Sequence, residues 1–163
     1  MDGFDHKNRQ VTKKWLTSVL TQNGYLKTGH VTEIIQRISR LGESNTSEFF
    51  ELTFSYSLDS SGEKPPGCLM KMSKPDKFQP CKREAQFYNF IREDRSPFVL
   101  EAYATSIDED LQSVVILMED KKTAYPPSEG LIPPNIDTCE RAVRVLAQNH
   151  SQWWTHSKLD SIK

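Results

Sequence analysis

Lys71 and Glu84 are the residues whose types and spacing could most directly do chemistry. Lys71 lies inside the short apolar run Leu69-Met70-Lys71-Met72, and Glu84 follows thirteen positions later in a stretch of helical periodicity. A lysine held by a carboxylate from a neighbouring helix is a fixed cation, which is what nucleotide phosphates require during phosphoryl transfer. Glu84 stands at offsets of three, four and seven from Phe87, Tyr88 and Ile91, so the pattern predicts a carboxylate on the inward face of that helix. An inward carboxylate wants a partner. The competing arrangement is a solvated Lys71, with Glu84 paired to a neighbour such as Lys82 or Arg83.

The elements that must position this pair follow from periodicity. Val11, Trp15, Leu16, Val19 and Leu20 recur at helical intervals and Gly24 supplies a stop, which predicts one amphipathic helix. Residues 31–40 and 48–58 read as strands, the second alternating through Phe50, Leu52, Phe54, Tyr56 and Leu58, with a turn over 41–47. The polar run 59–66 is a second turn and 68–72 a short central strand, giving a three-stranded meander. A helix over 80–92 then carries Glu84, and segments 98–106 and 113–118 form a hairpin. Asp108, Glu109 and Asp110 fall in its turn and read as a solvated loop, not a magnesium site.

The Pro-rich stretch within 121–136 reads as a linker, which separates a sheet-containing part, 1–120, from a helical part, 137–163. Asp137 and Glu140 have the spacing of a capping box, and Val143, Leu146, Ala147, His150, Trp153 and Trp154 follow at helical intervals. His150 is expected to be a packed core histidine, and the two tryptophans core or interface residues. A helix with such a stripe needs a partner surface.

Composition sets the outer limits. The chain has 163 residues, 36% hydrophobic and 26% charged, an ordinary globular balance. Its net charge of -1 gives no electrostatic basis for a nucleic-acid or membrane-surface partner. Cys68, Cys81 and Cys139 lack the close spacing of zinc or redox motifs and read as free thiols. With no signal-like start and no run near the roughly 18 apolar residues of a membrane span, a cytoplasmic setting is expected.

Order and spacing together resemble the aminoglycoside phosphotransferase superfamily, with its choline-kinase and ecdysteroid-kinase-like relatives, over most of the chain after residue 10. The resemblance rests on the loop Leu41-Gly42-Glu43-Ser44-Asn45-Thr46-Ser47, on Lys71, on Arg83-Glu84-Ala85-Gln86-Phe87-Tyr88, on Val115-Ile116-Leu117-Met118-Glu119-Asp120, and on Leu146-Ala147-Gln148-Asn149-His150-Ser151-Gln152-Trp153-Trp154. It implies an α+β, protein-kinase-like amino-terminal lobe with a five-stranded antiparallel sheet, followed by the first helix of a larger lobe. Lys71 would contact the phosphates of ATP and Glu84 would orient it. Main-chain and hydroxyl groups of Ser44, Asn45, Thr46 and Ser47 would cover the phosphates, and Met118, Glu119 and Asp120 would form the hinge against adenine. The single glycine of the loop disfavours a protein kinase.

The implied reaction moves the ATP γ-phosphate to a hydroxyl of a small molecule, with Mg2+ as cofactor. Its catalytic His-Gly-Asp type loop does not occur here, since His30, His150 and His156 are followed by Val31, Ser151 and Ser157. The expectation is therefore a parent about twice this length or a natural short product, with magnesium ligands beyond residue 163 and no turnover by this chain alone. A non-catalytic, pseudokinase-like binding module is the alternative.

Overall fold

The computed structural model describes residues 4–92, 97–121 and 134–161, apart from the side chains of 40–43 and 161. Two compact units result: Met1–Asp94 with Leu100–Asp120, and Arg95–Val99 with Lys121–Lys163. The first contains α1 (Lys13–Gln22), β1 (Val31–Glu43), β2 (Ser47–Tyr56), β3 (Gly67–Ser73), α2 (Phe78–Ile91), β4 (Ala102–Asp108) and β5 (Ser113–Met118). The second contains α3 (Ile136–Trp153). The class is α+β.

All five strands form one antiparallel sheet in the order β1-β2-β3-β5-β4. The meander of the first three strands and the β4–β5 hairpin are present as the alternation predicts, and the hairpin docks through β5. The reason lies in composition. Every residue of β5 is buried, as are five of the seven in β3, and strands covered on both faces are largely apolar. β4 is only half-buried along its length and takes the edge.

Helices cover the two faces. Thr12 caps α1 through a bond from the Trp15 N–H to its hydroxyl, and Gly24, at φ +80°, turns the chain out of the helix. α1 buries Trp15, Leu16 and Leu20 against Leu52, Phe54, Met70, Met72, Val115 and Leu117. On the opposite face α2 packs Phe78, Cys81 and Ala85 against Leu69, Ile116 and Met118, and it also buries Ile91 near its end. At about 25 cal/mol per Å2, a fully buried leucine such as Leu16 or Leu20 contributes roughly 2 kcal/mol.

Several expectations are corrected. The turn after β1 is shorter than 41–47, because β1 continues to Glu43, which pairs with Glu48. Strand β4 begins at Ala102 and not at residue 98. The inward stripe of α2 runs through Phe78, Cys81, Ala85 and Ile91, so Phe87, 42% exposed, lies off it. In the second unit, Asn135 rather than Asp137 caps α3, its side chain accepting from the Thr138 N–H at 2.9 Å. A carboxylate is not needed where an amide oxygen already satisfies that donor. α3 buries none of its side chains, so His150 is exposed instead of packed; Trp154, just after the helix, is 79% exposed, which removes it from a core and leaves an interface role untouched. An open groove of about 530 Å3 in this unit lies among Phe98, Arg141, Val145, Leu146 and Asn149. The proline-rich part of the linker, 122–133, lies outside the described residues. Among those described, no helix is long and apolar enough to cross a membrane.

Candidate functional site

Lys71 is the one charged residue in the two central strands, β3 and β5. Register places it between Phe49 on β2 and Ile116 on β5, on the face that α2 covers. A charge there is tolerated only with a partner. Glu84 on α2 supplies it: Lys71 Nζ donates to both carboxylate oxygens, at 2.8 and 2.6 Å. The side chains are 16% and 32% exposed, so the pair opens to solvent on the Glu84 side while the lysine stem remains inside. The Phe49 ring lies beneath the ammonium, its centroid 6.0 Å away.

The competing arrangement for Glu84 is not formed. Lys82 turns instead toward the β4–β5 turn, where its Nζ is 2.5 Å from Glu109. Glu109 is therefore ion-paired as well as solvated, and Asp108 accepts the Leu111 N–H at 2.8 Å, which closes the turn. These acidic groups serve the hairpin.

The turn at residues 44–47 satisfies most of its own polar groups. Ser44 Oγ accepts from the N–H groups of Thr46 and Ser47, at 3.3 and 3.0 Å, and the Ser44 N–H donates to Ser47 O at 2.7 Å. Ser47 is wholly buried, its Oγ 3.5 Å from Cys81 Sγ. Of the four residues expected over the phosphates, Asn45 is the exposed one, at the tip, and Ser47 faces inward. The hydroxyl-rich composition suggested donors for a ligand. In the fold those donors close a compact turn.

The expected hinge is partly occupied too. Met118 is buried in the β5 ladder between Leu69 and Ala102. The Glu119 N–H donates to Glu101 O at 2.9 Å, while Glu119 Oε1 accepts the Glu101 N–H at 3.1 Å. Glu101 in turn accepts from the Tyr25 hydroxyl at 2.7 Å. Asp120 follows, exposed. Burial, then the Glu101 and Glu119 carboxylates, push the nearby Tyr103 phenol up to about 12. The Tyr88 phenol is also raised, first by burial and then by Glu84 and Glu119, so carboxylates from α2 and from the end of β5 act on one ring. Glu101 and Cys81 are the residues that sequence reasoning leaves out. The signal for Cys81 was its position three residues before Glu84, on one helical face.

The geometry offers one half-open cation, clamped by a carboxylate, beside a compact polar turn. Among the described residues no three His, Cys, Asp or Glu side chains converge to hold a metal ion. Compared with known proteins, the chain matches no family model, no curated protein and no solved structure.

Proposed function

We propose that this chain is the nucleotide-binding portion of an ATP-dependent phosphotransferase that acts on a hydroxyl of a small molecule, akin to the aminoglycoside phosphotransferase superfamily. The observation that carries the reading is the Lys71–Glu84 pair, formed between a central strand and a helix packed on it. Such a cation is pre-oriented and lies partly open, so phosphate oxygens can replace part of its hydration without the lysine having to be ordered first. Strand order and the helix on that face are consistent with a protein-kinase-like amino-terminal lobe. Asn45 at the turn tip and Glu119 and Asp120 at the end of β5 complete the proposed surround of the nucleotide. Magnesium would come with ATP, and no step is assigned to it.

The alternative is a non-catalytic, pseudokinase-like module. The internally bonded turn and the Glu119 N–H committed to Glu101 favour it, since both reduce the main-chain donors facing a ligand. Thermal denaturation with and without Mg-ATP separates these readings. A shift that Lys71→Ala abolishes supports nucleotide binding, with about 2.7 kcal/mol expected at a hundredfold excess over Kd. No shift at saturating nucleotide would remove the phosphotransferase reading.

A further inference from the structure

Cys81 occupies the junction between the turn and the ion pair. It is 3% exposed on the inward stripe of α2, three residues before Glu84. Its thiol donates to Thr46 O at 3.6 Å and lies 3.5 Å from the buried Ser47 hydroxyl. The same Thr46 carbonyl accepts the Lys74 N–H at 2.9 Å, directly after β3, the strand that carries Lys71. Next along the helix face, Ala85 is fully buried and leaves α2 little room to slide.

We propose that Cys81 is a positioning residue that ties the turn at 44–47 to Glu84, so that the turn and the Lys71–Glu84 pair move as one unit. A helix is stiff over a single turn. Rotating α2 far enough to take Glu84 off Lys71 therefore draws Cys81 away from Thr46, and lifting the turn pulls on the segment that aims Glu84. This coupling rests on the fold alone, so its test needs no nucleotide and stands or falls separately from the proposed function.

The experiment is alkylation of the full chain by N-ethylmaleimide, followed by mass spectrometry of the peptides containing Cys68, Cys81 and Cys139. Cys68 and Cys81 are buried on opposite faces of the sheet and Cys139 is exposed, so one reaction reads opening of each face and the intrinsic rate together. Lys71→Met, which keeps an apolar stem in the strand, and the isosteric Glu84→Gln both weaken the pair. The expected result is a rise of about tenfold in Cys81 labelling, larger in Lys71→Met, with Cys68 and Cys139 unchanged. An unchanged Cys81 rate overturns the proposal, and so does a parallel rise at Cys68, which would mean global loosening. Amide exchange at Thr46 and Ser47 gives the second arm. Cys81→Ala should accelerate it and Cys81→Ser, which keeps a donor, should restore protection; equal exchange in both variants would reduce Cys81 to a filler of space.

Discussion

The two faces of the sheet are built on different terms. On the α1 face Leu16, Leu20, Met70, Val115 and Leu117 are each without exposure, and the chain before α1 seals the margin with Phe4, at 5%. On the α2 face a smaller apolar cluster is interrupted by Lys71 and Glu84. The first face holds the sheet together. The second accepts the cost of a partly desolvated ion pair, and a fold has no structural need to do so when apolar residues of similar size would pack at least as well. The α1 face carries an ion pair as well, Arg9 with Glu48 beside Met72 and Phe50, but its cation is 42% exposed against 16% for Lys71, so the depth of the lysine is what directs attention to the α2 side.

Core truncation gives the largest effect that can break this comparison. Leu16→Ala should lower stability by about 3 kcal/mol in denaturant titration, because the site is sealed and collapses poorly. Nucleotide affinity, measured where the fold persists, should not change. A specific loss of affinity in Leu16→Ala would show that the faces are not separable.

A smaller effect is expected at the pair. Glu84→Ala should destabilise by about 1–2 kcal/mol, less than for a sealed pair because solvent reaches the carboxylate. The double variant Lys71→Met with Glu84→Leu should regain most of that stability while losing any nucleotide response. If the double variant is much less stable than Glu84→Ala, the pair is a structural requirement and the contrast between the faces weakens.

The smallest effect concerns the margin of the α1 face. His6 Nε2 lies 2.9 Å from Ser106 Oγ, and its buried Nδ1 has no partner. Burial lowers the imidazole from its ordinary value, while Asp108 and Asp5 oppose the shift. The unfolded chain therefore takes up the proton first as pH falls, so the contribution is intact above about pH 6.5 and is lost below it. Replacing His6 with glutamine should remove an acid-side drop in Tm on the order of one degree, read by comparing melting curves at pH 7 and pH 5. Identical pH profiles would show that His6 titrates as it does in water.

Much of this architecture is legible in the sequence, for identifiable reasons. A lysine within an apolar strand and a glutamate in the following helix stand out because charges avoid such positions. The alternation in β2 and the unbroken apolar run of β5 specify a half-covered and a fully covered strand. The face of α2 is less legible, since its true stripe includes Cys81 and Ala85, small residues that carry little hydrophobic signal, while Phe87 carries a large one and points outward. The state of the 44–47 turn is not legible at all. Ser44 bonding to Thr46 and Ser47 is decided by local backbone geometry, and a hydroxyl-rich turn reads the same whether its donors face a ligand or each other. His150 and Trp154 show the limit of periodicity, which signals a face to be covered but not what covers it.

Two lysines on α2 and the strand beneath it permit a matched comparison. Lys71 and Lys82 are both ion-paired to glutamates, one inside the α2 face and one at its rim. Equilibrium binding of ATP to Lys71→Met and to Lys82→Met compares equal changes of charge at the two places. Lys71→Met should lose at least tenfold in affinity, from the charged contacts to phosphate that are removed, and Lys82→Met should bind near the wild-type level. Equal binding by the two variants, or no ATP binding by the unaltered chain, would contradict a nucleotide site at Lys71.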